Sequence, residues 1–126
     1  MMTLVPMANI LVVDDERSVG ELVAEALDGH EVELALDGTS GLSRIRALRP
    51  ALVVLDMNMP GLSGIEVCKA LRADPATAGI KVLMLTGQGS MESVEEGFAA
   101  LVDDYIVKPF SPRVLAGRVN QLLAKT

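Results

Sequence analysis

Apolar residues fall along this chain in two alternating patterns. Five short segments are dominated by them: "NILVV" at 9–13, "EVELAL" at 31–36, "ALVVL" at 51–55, "KVLML" at 81–85 and "YIV" at 105–107. Between these segments apolar residues recur every three or four positions, the period of a helix face. Ser18–Leu27 aligns Val19, Leu22, Val23, Ala26 and Leu27, and stops at Asp28-Gly29. Gly38–Leu48 aligns Leu42, Ile45 and Leu48 ahead of Pro50, and Gly64–Leu71 aligns Ile65, Val67, Cys68 and Leu71. Ser90–Leu101 carries Val94, Phe98 and Leu101. Ser111–Ala124 opens on Ser-Pro, a helix-start pair, and carries Val114, Leu115, Val119, Leu122 and Leu123. Strand and helix patterns thus alternate strictly, five times. Such alternation predicts an α/β fold, a parallel sheet with right-handed crossover helices on both faces. Near-continuous apolar strands fit a sheet covered on both sides.

The length of 126 residues suits one domain, with residues 1–8 as a lead-in and a core of about 9–124. Aromatic residues make up only 2%, so the core must be aliphatic. The formal net charge of -6 argues against DNA, RNA or an anionic membrane as a direct partner, because those select clustered Lys and Arg. Cys68 is the only cysteine, so neither an internal disulfide nor a zinc spacing is available, and it reads as a small core residue. No run approaches the ~18 apolar residues of a membrane span, and no basic stretch opens a signal peptide. A cytoplasmic location is expected.

The chemistry gathers where the strands end. The first ends in Asp14-Asp15, the third in Asp56, the fourth in Thr86 and the fifth in Lys108. Asp37, after the second, precedes Gly38 and reads as a turn or helix cap. Open α/β sheets bind ligands outside the carboxyl ends of their strands, where the strand order reverses. Taken singly, Asp14 or Asp15 would be a helix cap, Thr86 a loop or core residue and Lys108 a solvated lysine. Asp56 is different, because "MNMPG" follows it and the helical pattern resumes only near Gly64. Three carboxylates in one crevice repel unless a cation is present, and oxygen-only ligation suits a hard ion, Mg²⁺ by preference and Mn²⁺ as an alternative. Three carboxylates, one divalent cation and Lys108 sum to neutrality. Such a site can accept a phosphoryl group, with an aspartate as nucleophile.

"VVDDE", "LVVLDMNMPGLSGIEV", "LMLTG" and "DDYIVKPF" resemble, in order and spacing, the receiver domains of response regulators in two-component signalling. The resemblance covers about Asn9 to Leu123. It implies a three-layer, flavodoxin-like (βα)5 fold of the chemotaxis-regulator kind, its five-stranded parallel sheet in the order 2-1-3-4-5. It implies that Asp56 takes a phosphoryl group from a histidine kinase or phosphotransfer protein. Asp15 and Asp56 would ligate Mg²⁺ directly, Asp14 mostly through water, and Asn58 through its backbone carbonyl. Lys108 would pair with the phosphoryl group, Thr86 would swing to bind it, and Tyr105 would move inward with Thr86. Asn58 and Gln88 would tune the lifetime of the acyl phosphate. The Lys108–Pro109 bond is expected to be cis. A downstream protein target or effector domain is implied. So is a dimer through the face built from the fourth helix, fifth strand and fifth helix. The chain would catalyse only its own phosphorylation and dephosphorylation.

The family usually has Gly-Ala before the fifth strand, where this chain has Leu101-Val102. A left-handed Leu costs roughly 1–2 kcal/mol, so no left-handed residue is expected at Leu101. An acid is usual at position 63, and Ser63 there is expected to matter little. Two rival readings share the residues. A phosphorylation-independent interaction module would keep the fold, although such domains usually lose an acid or the lysine. An aspartyl-phosphate phosphatase would place its nucleophile in a D-x-D motif at the first strand, and the pair here is adjacent.

Overall fold

The computed structural model describes residues 7–87 and 102–125. Within them the strands are β1 (Asn9–Val13), β2 (Glu31–Ala35), β3 (Leu52–Asp56), β4 (Lys81–Thr86) and β5 (Asp104–Val107). The helices are α1 (Arg17–Ala26), α2 (Gly38–Leu48), α3 (Gly64–Ala73) and α4 (Pro112–Ala124), the last being the fifth helix of the sequence pattern. The helix predicted over 90–101, with Leu101 and Gln88, lies outside the described residues.

All strand pairs are parallel, and the sheet order is β2-β1-β3-β4-β5, as the resemblance implies. Alternate residues of each strand serve opposite faces. Leu11, Val13, Val53, Leu55, Val82 and Met84 pack with Ile45, Val67, Cys68 and Leu71 of α2 and α3. Ile10, Val12, Leu52, Val54, Leu83, Leu85 and Ile106 pack with Val23, Leu27, Leu115, Val119 and Leu122 of α1 and α4. Two aliphatic cores therefore flank the sheet, which is why β3 is buried at every position. Each fully buried side chain of this size contributes about 1.5–3 kcal/mol. The edge strand β2 alternates instead, with Glu31 and Glu33 exposed, a pattern that discourages pairing with another chain.

Element ends differ from the sequence pattern by a residue or two. α1 starts at Arg17, its N-cap Glu16 making no side-chain cap bond, so neither Asp14 nor Asp15 is its cap. α2 ends on Arg49 in the left-handed region at φ 46°, immediately before Pro50. Asp37 caps α2, accepting from the Ser40 N–H at 2.7 Å and the Ser40 hydroxyl at 2.9 Å. These bonds hold the Asp37 carboxyl below its ordinary pKa.

Candidate functional site

β1, β3, β4 and β5 deliver Asp14, Asp56, Thr86 and Lys108 to the same end of the sheet. Asp14 follows β1, and its N–H continues the ladder to the Ala35 carbonyl at 3.1 Å. Asp56 is the last residue of β3, and the next N–H, that of Met57, still bonds to the Leu85 carbonyl at 2.9 Å. Thr86 closes β4. The Lys108 N–H bonds to the Thr86 carbonyl at 2.6 Å, just past β5. Side chains at these positions are held by backbone pairing rather than by loops.

The loop after β3 runs from Met57 to Ser63. Its Met57 and Met59 side chains are buried, and Gly61 turns it at φ 76°. Gly64 starts α3 so close to β3 that a Cβ there would lie 2.3 Å from the Asp56 carbonyl oxygen. Only glycine allows that approach. The Gly64 N–H then bonds to the Met57 carbonyl at 2.9 Å. Ser63, expected to matter little, is the N-cap of α3 and forms a full capping box with Glu66.

Asp14 is 1% exposed and Asp56 5%, whereas Asp15 faces solvent. One carboxylate oxygen from each of the three lies within 4.8 Å of the others. Asp14 Oδ1 accepts from the Glu16 N–H at 2.9 Å, and Asp14 Oδ2 accepts from Lys108 Nζ at 3.0 Å. Lys108 Nζ also lies 3.4 Å from Asp56 Oδ1, which the Asn58 N–H approaches at 3.4 Å. One ammonium thus serves two carboxylates. Burial, then the charge of Asp14, push the Asp56 carboxyl up to about 6, against the opposing pull of Lys108 and the Asn58 N–H. For Lys108, burial alone would lower the pKa. The hydrogen bond to Asp14 and the charges of Asp56 and Asp14 outweigh it and hold the ammonium above its ordinary value.

Thr86 is fully buried, and its hydroxyl has no hydrogen-bond partner among the described residues. A buried hydroxyl without a partner keeps its donor capacity unused. Tyr105 is half-buried on β5, against the core of α2 and α3. Asn58 is exposed, and the Lys108–Pro109 bond is cis. The structure therefore brings together Asp14, Asp15, Asp56 and Lys108, with Asn58 touching Asp56. The close approach of Gly64 to β3 and the capping role of Ser63 are not legible from the apolar pattern. The signal for Ser63 was present in the order Ser-x-x-Glu ahead of an apolar run.

The oxygen-only donor set, the mutual repulsion of its carboxylates and the orphaned Thr86 hydroxyl fit a hard divalent cation together with an anionic ligand. No helix among the described residues is long and apolar enough to cross a membrane.

Comparison with known proteins agrees with this geometry. Residues 10–120 match the family model described as the response regulator receiver domain. The DNA-binding response regulator MtrA of Mycolicibacterium paratuberculosis is 43% identical over 119 residues, covering 93% of this chain and 52% of that protein. The chain thus spans about half the length of this curated relative. A crystal structure of a putative response regulator from Chloroflexus aurantiacus superposes with a TM-score of 0.90 at 36% identity, covering 94% of this chain and 99% of that one. The BeF3-activated DrrB receiver domain gives a TM-score of 0.86 at 35% identity, covering 94% and 99%.

Proposed function

The chain belongs to the response regulator receiver domain family of two-component signalling, and from that membership we propose that Asp56 is its phospho-acceptor. A carboxylate oxygen of Asp56 attacks the phosphorus of a phosphohistidine on a histidine kinase or phosphotransfer protein. The phosphorus–nitrogen bond breaks, the imidazole leaves with the electron pair, and an acyl phosphate remains on Asp56. Lys108, already bonded to Asp14 and close to Asp56, follows the charge onto the phosphoryl oxygens. Asp14, Asp15, Asp56 and the Asn58 carbonyl would hold Mg²⁺ or Mn²⁺. Bound there, the ion supplies positive charge to the carboxylates and the phosphoryl oxygens.

The Thr86 hydroxyl donates to a phosphoryl oxygen, and Tyr105 moves inward with it, biasing an existing two-state equilibrium. Couplings of this kind are typically about 1–3 kcal/mol. Asn58 and Gln88 set how long the acyl phosphate survives. The chain turns over no other substrate, works in the cytoplasm, and passes the signal to a protein target or effector domain. A dimer through β5, α4 and the fourth helix of the sequence pattern is one form of that output.

The observation that carries this reading is the convergence of Lys108 on two buried aspartates at the end of the sheet where the Thr86 hydroxyl has no partner among the described residues. The test is titration with beryllofluoride and Mg²⁺, followed by amide NMR. Shifts at Thr86 and Tyr105 are expected. A spectrum that does not change favours the phosphorylation-independent module.

A further inference from the structure

β5 carries Lys108 to the acidic cluster, yet its apolar pattern does little to fix its register. Tyr105, Ile106 and Val107 are all apolar, and only Ile106 is buried. Register is normally enforced where apolar and polar residues alternate. Here a one-residue slip exchanges one apolar side chain for another. It would also carry Lys108 about 3.3 Å along the sheet and turn it to the opposite face.

Polar contacts at the start of the strand supply what the pattern lacks. The Asp103 N–H donates to the Val82 carbonyl at 3.0 Å, and Asp103 Oδ2 accepts from the Val82 N–H at 2.7 Å. Arg72 Nη2 donates to the same carboxylate oxygen at 3.0 Å. Arg72 Nη1 donates to the Ala78 and Ile80 carbonyls at 2.8 and 2.6 Å. One guanidinium therefore joins the end of α3, the loop ahead of β4 and the entry to β5. The two side chains are 14% and 27% exposed, so the pair is shielded from full solvent screening. A slipped strand would set Val102 or Asp104 opposite Val82. Val102 has no acceptor in its side chain, and Asp104 is held by Arg118 at 3.0 and 2.9 Å.

We propose that Arg72, acting through Asp103, is a positioning residue that locks the register of β5 and so holds Lys108 between Asp14 and Asp56. Its kinetic consequence rests on the phospho-acceptor reading; its structural consequence does not.

The test uses the full chain with Arg72→Met, which keeps an unbranched stem, and Arg72→Lys, which keeps charge but cannot span three acceptors. Two quantities are read: phosphate uptake from acetyl phosphate across a Mg²⁺ series, and cross-strand NOEs between Met84 and Tyr105 and between Thr86 and Val107. Arg72→Met should weaken or double the NOE pattern and lower the maximal uptake rate roughly tenfold or more. The Mg²⁺ concentration for half-saturation should stay within about threefold, because the carboxylates on β1 and β3 are undisturbed. Arg72→Lys should fall between Arg72→Met and the parent. If Arg72→Met does not fold, Asp103→Asn keeps an acceptor for Val82, loses the ion pair, and should show the same changes at smaller size. A folded variant with the parental NOE pattern, or with the parental uptake rate, overturns the proposal. A parent that takes up no phosphate defeats the phospho-acceptor reading alone, and the NOE pattern then decides the register lock by itself.

Discussion

At the amino end of the sheet, His30 Nδ1 accepts the Ala8 N–H at 3.1 Å, while its Nε2 meets Asn120 Oδ1 at 3.1 Å. At the same end Arg72 and Asp103 close four bonds among themselves and three backbone groups. At the carboxyl end, Asp14 and Asp56 share a single lysine, and the Thr86 hydroxyl has no partner among the described residues. Both ends are rich in polar side chains. One set completes its hydrogen bonds inside the fold, and the other leaves charge and donor capacity unspent. Polar residues that satisfy one another build structure. Polar residues that do not are free to meet a ligand, which on our proposal is a cation and a phosphoryl group.

The sharpest way to break this contrast is to remove the shared lysine. Lys108→Met should slow phosphate uptake by about 10²-fold or more, because positive charge at the phosphoryl oxygens is lost. It also strands Asp14 without its cation, and metal-free unfolding in urea should show a loss of roughly 2–4 kcal/mol. Loss of the exposed Arg44–Glu33 pair should cost under about 1 kcal/mol.

Asp56→Asn should act in the opposite sense on the metal-free fold. The folded Asp56 carboxyl sits at about 6, above its ordinary 3.8, so the folded state binds the proton more tightly than the unfolded one. The Asp56 contribution is therefore close to neutral below about pH 4, becomes destabilising as pH rises from about 4 to about 6, and is fully destabilising above that. At pH 7 the substitution should stabilise the metal-free protein by roughly 2–3 kcal/mol. Melting curves at pH 7 and pH 4 should show the gain at the first and little at the second. A lower melting temperature at pH 7 would mean that the acids stabilise the fold.

Ser63→Ala should cost about 1 kcal/mol through the lost cap of α3, with phosphate uptake close to that of the parent. The smallest effect belongs to Thr86→Val, which replaces a hydroxyl without a partner among the described residues with a methyl of similar size. Metal-free stability should stay within about 1 kcal/mol of the parent or rise, while the NMR response to beryllofluoride at Tyr105 shrinks.

Much of this is legible in the chain because apolar strands stop abruptly at charged or polar residues. Asp14-Asp15, Asp56, Thr86 and Lys108 end four strands, and a parallel sheet gathers strand ends without any need to know side-chain packing. Asp37 was separable as a cap because a glycine and a helix follow at once. What escaped depends on three-dimensional approach. Gly64 is required by the path of a loop that folds back on Asp56, and nothing local announces that approach. Arg72 and Asp103 lie 31 residues apart, and neither stands in a motif that names the other. Ser63 stands where the family usually has an acid, and that departure obscures its simpler local meaning as a cap. α1 began earlier than its pattern because Glu16 caps it without a side-chain bond, which no cap preference foretells.

The proposed phospho-acceptor role of Asp56 has a direct test. Parent and Asp56→Asn should be incubated with acetyl phosphate and Mg²⁺, and covalent phosphate measured by intact mass. The parent should gain one phosphoryl group, released on mild alkaline treatment as an acyl phosphate is, and Asp56→Asn should gain none. Equal incorporation in both proteins would contradict the assignment.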